Sequence, residues 1–494
     1  MKISSPILRM QIHTHTDTMK IFPTLFSLAC ACSLPLAQAR EVMDKPNVII
    51  IYLDDSGYGD FSYNGNPVIE TPNISRLAHN GLNCTQFYVS SPACSASRYS
   101  LLTGRYPGRS GFGTWVIGPG SKPHLRSAEI TIAEGLKANG YKTGMFGKWH
   151  LGNPNKGNQM STEALPLAHG FDTWVGTNVS HDYDNAKLLK SDPSGNKPVK
   201  GYSEVAKNLP SDDEASTSLT GLYTDAAVSF IKQNKDKPFF AYVAHNQPHL
   251  GLYVSEKFKG KSKRGLLGDV MAEVDDSVGR ILQTLKDEGI DKNTLVVFSS
   301  DNGPWILFRD LKFKNHPKYG EARTHVGYAQ PFRDGKGSTW EGGHRVPGIF
   351  YWPGVIKPQR LLAPVSTLDV LPTVLTITGA KLPDDRKLDG RNISPYLLGS
   401  DSQKVDDFEF IYSYFDNKPS AIRVGPWKLH IRIGSQTGNN YNFKASEKQP
   451  LLFNVEEDLG ERIDRASEQP EIVERLLKKL RDKRSEIEKT GVIK

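Results

Sequence analysis

Two apolar runs, far apart in the chain, each end abruptly on side-chain oxygens. Residues 47–53 read NVIIIYL and run into Asp54 and Asp55, and residues 293–300 read NTLVVFSS and run into Asp301-Asn302-Gly303. Runs this apolar, without polar alternation, suit strands covered on both faces, which is the condition of a parallel sheet sandwiched between helices. Wound sheets of that kind hold ligands at the carboxyl ends of their strands. Asp54, Asp55, Asp301 and Asn302 would therefore converge on one site and suit a hard cation. A pair of acids capping a turn is the plain alternative for Asp54 and Asp55 alone. The 494 residues suffice for one large α/β domain with a smaller appendage.

The remainder alternates as a wound fold should. Helices are predicted over 75–81 and 130–140, the second closed by Asn139-Gly140, with a strand over 141–149. That strand carries Gly147-Lys148-Trp149-His150, and a period of two places Lys148 and His150 on one side. Residues 171–209 are less regular, and the Pro, Gly, Ser, Lys and Asp content of 187–213 reads as an exposed loop. A helix over 223–234 precedes a buried strand over 238–244, which delivers His245-Asn246-Gln247-Pro248-His249; a long amphipathic helix follows over 269–288. Residues 369–398 read as helix, loop and a short Leu-rich turn. Strand-like runs at 408–415, 421–433 and 451–454 then suggest a small antiparallel sheet. A helix over 470–489 would pack on it through Ile472, Val473, Leu476, Leu477, Leu480 and Ile487. The expected division is 1–39 as a leader, 40–400 as the main domain and 401–494 as a C-terminal subdomain.

Lys20, the apolar stretch 21–36 and Ala37-Gln38-Ala39 before Arg40 form an export signal, with Met19 an alternative start. The stretch is too short and interrupted for a membrane span, so the reading is an exported protein, periplasmic or secreted, with no stable membrane insertion. Cys30 and Cys32 raise a lipid anchor, although neither has Leu three places before it. Removal of the leader leaves Cys84 and Cys94 and no disulfide framework. The formal charge of +8 favours an anionic partner. Nucleic acid, an acidic membrane and a sulfated glycan are all candidates; no nucleic-acid-binding motif or long Lys/Arg run is present, and the charge alone does not choose among them.

The stretch CSASRYSLLTGR, from Cys94 to Arg105, resembles the signature of the formylglycine-dependent (type I) sulfatases, of the arylsulfatase A-like and polysaccharide sulfatase kind. Cys94, Ser97, Arg98 and the LLTGR tail match in spacing, and Ala96 stands where Pro is more usual. The resemblance implies the alkaline-phosphatase-like α/β fold and a maturation enzyme that oxidises Cys94 to formylglycine, whose hydrate is the nucleophile. It implies a calcium ion, less often magnesium, held by Asp54, Asp55, residue 94, Asp301 and Asn302. Calcium takes about six to eight oxygens, and the chain offers no softer nitrogen and sulfur cluster for zinc.

The resemblance extends further. Gly147-Lys148-Trp149-His150 matches the family's Gly-Lys-x-His, which makes Lys148 and His150 catalytic candidates. His249, the histidine that follows Pro248, is carried over as catalytic and His245 is not. The Gly-rich stretch 335–347 resembles the second family signature, which supplies Lys336 to the sulfate, and Arg98 would orient the hydrate. His181 and Asp182 match segments near the substrate mouth. Between Asp301 and Gly335 lies an insertion holding Arg309, Lys312, Lys314, His316, Lys318, Arg323 and His325, either a subsite for further anionic groups or a solvated charged loop. The implied reaction is hydrolysis of a sulfate ester. The expected substrate is a sulfated polysaccharide, a galactan of the carrageenan type first and a glycosaminoglycan second. A phosphate or phosphonate ester hydrolase and a glycan-binding relic remain alternatives.

Overall fold

In the computed structural model of the chain, Asn47–Leu53 and Thr294–Ser300 are adjacent parallel strands, fully buried along their length. The described residues are 45–118, 121–152, 162–197, 199–309, 318–399, 408–438 and 442–492. Side chains of the first strand divide by parity. Val48, Ile50 and Tyr52 pack into one apolar layer, while Ile49, Ile51 and Leu53 pack into the other. Helices Cys94–Thr103, Ile132–Ala138 and Val370–Ile377 cover the first face, and Pro72–Asn80, Asp213–Asn234 and Leu266–Asp287 cover the second. This double cover is why the run needs no polar alternation.

Ten strands form the main sheet. Their order is Gln359–Leu361, Leu82–Cys84, Gly348–Tyr351, Thr294–Ser300, Asn47–Leu53, Phe239–Ala244, Lys142–Gly147, Thr173–Thr177, Lys187–Ser191 and Tyr202–Lys207. From Thr294–Ser300 to Thr173–Thr177 every neighbouring pair is parallel, so these carboxyl ends share one edge of the sheet. A second sheet of four antiparallel strands, Glu409–Ser413, Pro419–Val424, Trp427–His430 and Leu451–Asn454, is covered by helix Pro470–Thr490 through buried Leu476, Leu480 and Ile487. Tyr88, Tyr106 and Leu368 from the main part join the same apolar cluster, so the C-terminal sheet packs directly against the larger one's surroundings. No helix among the described residues is long and apolar enough to cross a membrane.

Four expectations change. The run 421–433 is broken at Gly425 and Pro426, so that Pro419–Val424 and Trp427–His430 pair as two antiparallel strands. Within 187–213, read as a loop, Lys187–Ser191 and Tyr202–Lys207 form an antiparallel hairpin at the sheet edge. Its Pro, Gly and Ser residues lie largely in the turn, and few of its strand residues, Leu188, Leu189 and Tyr202 among them, are buried, so no apolar run marks it. The helix expected from Tyr223 starts at Asp213, capped by Asp212, whose carboxylate accepts the Ala215 N–H at 2.9 Å. The strand expected to reach Trp149 stops at Gly147, whose φ is 122°, and His150 is left-handed at φ 57°. Lys148 and His150 thus lie in irregular chain beyond the strand end, and period two does not set their direction. The leader 1–39, with Cys30 and Cys32, and the 400–401 boundary lie outside the described residues.

Candidate active site

Four parallel strands deliver the site. Asp54 and Asp55 follow the central strand, Asp301 and Asn302 its neighbour on one side, His249 lies beyond Phe239–Ala244, and Lys148 and His150 lie beyond Lys142–Gly147. Cys94 starts a wholly buried helix beneath them. One ligand atom each from Asp54, Asp55, Cys94 and Asp301 lies within 4.8 Å of the others, and all four residues are buried. The Cys94 Sγ is 3.3 Å from Asp54 Oδ1. Asn302 Nδ2 donates to Asp55 Oδ1 at 2.7 Å, while its buried Oδ1 has no hydrogen-bond partner. An orphaned amide oxygen beside three carboxylates is the donor set of a hard divalent cation.

Three basic side chains close on these acids. Arg98 donates to Asp301 Oδ2 through Nη2 at 2.8 Å and Nε at 3.1 Å, with Asp54 Oδ1 at 3.7 Å. Lys148 contacts Asp54 Oδ2 closely and reaches Ser180 Oγ at 3.3 Å. Lys336 sits 2.8 Å from Asp55 Oδ1. Burial would push the Asp54 carboxyl up, but Lys148, His249 and Arg98 together hold it well below the usual range. Asp301 goes the other way, pushed up by burial and by the charge of Asp54. Burial, Asp301 and Asp54 also drive the Cys94 thiol well above its ordinary value, which makes it a poor thiolate nucleophile.

The two flanking histidines differ. His150 has neither ring nitrogen paired, and burial followed by Lys148 keeps it neutral, so it can accept a proton. His249 donates Nδ1–H to the Leu250 carbonyl, which can only accept; this leaves Nε2 facing the acids, 3.6 Å from Asp55 Oδ2. The His181 ring lies 5.7 Å from that of His249, with Nε2 on the Gly251 carbonyl at 2.8 Å and Nδ1 unpaired. Asp182 Oδ2 accepts from Tyr319 Oη at 2.7 Å, and its Oδ1 is 3.9 Å from His249 Nδ1. His245 is turned away onto Ser277 Oγ at 3.1 Å.

Lys336 is carried on a loop that only glycine fits. Gly337 has φ 70°, and a Cβ there would come 2.6 Å from Gln436 Cδ. In the intervening insertion Arg309 donates to the Gly327 carbonyl at 2.5 Å and Arg323 to the Arg309 carbonyl at 3.2 Å, so these two serve the segment's own fold. Lys318 lies over the Tyr319 ring and His325 is half-buried. Lys312, Lys314 and His316 lie outside the described residues.

A sulfatase family model matches residues 46–380, and a model of the C-terminal region of aryl-sulfatase matches 406–492. The chain belongs to the sulfatase family. It is 38% identical over 442 residues to an arylsulfatase of Hemicentrotus pulcherrimus, covering 88% of this chain and 76% of that protein. It is 35% identical over 468 residues to the N-acetylgalactosamine-6-sulfatase of Mus musculus, covering 86% of this chain and 82% of that one. Among solved structures it superposes on Ps i-CgsB in complex with k-i-k-neocarrahexaose with a TM-score of 0.69 and 28% identity, covering 89% of this chain and 92% of that one. This sulfatase has the alkaline-phosphatase-like fold and is a sulfuric ester hydrolase.

Asp54, Asp55, Cys94, Arg98, Lys148, His150, His249, Asp301, Asn302 and Lys336 are all buried. Ser180 opens the segment that carries His181 and Asp182, whereas Trp305, Tyr319 and Gln436 were not anticipated. Trp305 lies within 5.2 Å of the His249 ring and Tyr319 on Asp182, yet neither belongs to a motif and only the folded chain brings them in. Arg105, the last residue of the first motif, is structural: its guanidinium holds buried Glu129 at 2.6 Å and the Gly491 carbonyl at 2.8 Å.

Proposed function

We propose that this sulfatase removes sulfate from a sulfated polysaccharide, a galactan of the carrageenan type, with formylglycine at position 94 and calcium beside it. The observation that carries the reading is the convergence of Cys94, three aspartates, Asn302 and two lysines at the carboxyl ends of parallel strands. Asp54, Asp55, Asp301, Asn302 and residue 94 would hold the ion, which when bound polarises a sulfate oxygen and favours an ionised nucleophile. The encoded Cys94 Sγ stands in for the hydroxyls of the aldehyde hydrate. One of these attacks sulfur, and Asp301 takes its proton. Arg98 orients the hydrate. Lys148 and Lys336 bind the sulfuryl oxygens, where charge spreads as the ester bond breaks. His249, as the imidazolium with Nδ1–H on the Leu250 carbonyl, gives its Nε2 proton to the leaving alcohol oxygen. His150, neutral and unpaired, takes the proton of the second hydroxyl, so that the carbonyl re-forms and sulfate leaves.

His181 and Asp182 lie beside the His249 ring, Asp182 on its Nδ1 edge, and are assigned to the sugar. The galactan reading is supported by the neocarrahexaose held by one structural relative. The 35% identity to an N-acetylgalactosamine-6-sulfatase favours a glycosaminoglycan as the second reading. Sulfate release from defined carrageenan and glycosaminoglycan oligosaccharides tests the choice, with the carrageenan series expected to be the faster. Matched aryl sulfate and aryl phosphate should differ in favour of sulfate. Residues 1–39 are assigned to export into the periplasm or medium, and a maturation enzyme oxidises Cys94 before the protein is active.

The donor set also makes a prediction. Protein stripped with a chelator should lose turnover and regain it with calcium, and calorimetry should show one calcium site that is lost in Asp301→Ala. Stoichiometric zinc in active protein with calcium absent would contradict the assignment.

A further inference from the structure

We propose that Trp305 is a positioning residue for both Lys336 and His249, and that Gln436, from the segment after strand Trp427–His430, holds it in place. The inference rests on the roles assigned above to those two side chains. Trp305 leaves the site strand through Asp301-Asn302-Gly303-Pro304 and comes to lie between them. Its ring centroid is 4.4 Å from Lys336 Nζ and 5.2 Å from the His249 ring. An ammonium over an indole face is attracted by the ring's negative face, and here the opposing pull comes from Asp55, 2.8 Å away. Lys336 is thereby suspended between a carboxylate and an aromatic ring. The same indole limits how far His249 can swing from the leaving oxygen.

The indole itself is fixed from the C-terminal side. Trp305 Nε1–H can only donate, and it donates to Gln436 Oε1 at 2.8 Å, which also settles the orientation of that amide. Gln436 cannot drift, because its segment is laced to the lysine loop. Thr339 N–H donates to the Gly434 carbonyl and Gly434 N–H to Thr339 Oγ1, both at 3.0 Å. The Ser435 hydroxyl donates to Asp334 and Thr437 Oγ1 reaches the same carboxylate oxygen at 3.3 Å. Phe308 and Tyr319 close the remaining edges of the indole at 4.8 and 6.0 Å between centroids. The C-terminal part of the chain thus fixes the indole beside the sulfate lysine and the proton donor through one hydrogen bond.

Two conservative variants test this without removing the ring. Trp305→Phe keeps an aromatic face and loses the N–H, and Gln436→Ala loses the acceptor. Each, in full-length calcium-loaded enzyme, should lower kcat on a sulfated oligosaccharide by about five- to tenfold, the weight of one hydrogen bond. The loss should be smaller on nitrophenyl sulfate, and the unfolding midpoint should match the parent's. Because both break one contact, the double variant should lose no more than either single variant. Additive losses, or parental kcat in both single variants, would overturn the inference. His249→Ala, measured beside them on the two substrates, reports on the proposed function separately.

Discussion

Cys94→Ser is expected to fold, bind sulfated substrate and turn it over at least about 10³-fold more slowly than mature enzyme. Serine offers one hydroxyl at the same place, beside Asp54, the carboxylate that Lys148 also contacts. Attack on sulfur is therefore still open to it. The step that fails is release, because a serine sulfate has no second hydroxyl for His150 to deprotonate and no carbonyl to re-form. The variant should stop after at most one turnover and gain the mass of one sulfo group on the helix Cys94–Thr103. Sustained turnover at the parental rate would remove the aldehyde from the mechanism.

His249→Ala should depress kcat on a sulfated oligosaccharide by about 10² to 10⁴-fold and do far less to nitrophenyl sulfate. A sugar alkoxide leaves badly without a proton, whereas nitrophenolate needs none. Lys336→Ala should harm the two substrates alike, since both present the same sulfuryl group to it. The geometry separates these roles: Nε2 of His249 faces Asp55 at 3.6 Å, its Nδ1 being engaged by the Leu250 carbonyl, whereas Lys336 is bound to Asp55 at 2.8 Å. Equal losses on both substrates for His249→Ala would mean that it holds the sulfate or the acids and does not protonate the leaving group.

What could be read in advance follows from how each feature is encoded. The strands Asn47–Leu53 and Thr294–Ser300 announce themselves because burial on both faces forces an unbroken apolar run, and the oxygens that end them stand out for the same reason. The edge hairpin formed by Lys187–Ser191 and Tyr202–Lys207 was hidden because solvent takes much of it and a Gly- and Pro-containing turn joins it. Lys148 and His150 were found by motif while the extended geometry assumed for them was wrong, since the strand ends at Gly147. Trp305 and Gln436 are 131 residues apart in the chain, with the lysine loop and three of the four C-terminal strands between them, and no local pattern predicts that an indole N–H meets that amide. Motifs locate groups that act on the sulfate, which is common to many substrates, and tertiary packing supplies the groups around them.

The central claim is that residue 94 of the active enzyme is an aldehyde. Trypsin should release the peptide from Leu77 to Arg98, which carries both Cys84 and Cys94. After reduction and alkylation of active enzyme, mass spectrometry should find Cys84 alkylated and residue 94 unalkylated and lighter, a thiol-bearing carbon having become a carbonyl. Fully active enzyme whose peptide carries two alkylated cysteines would contradict the account.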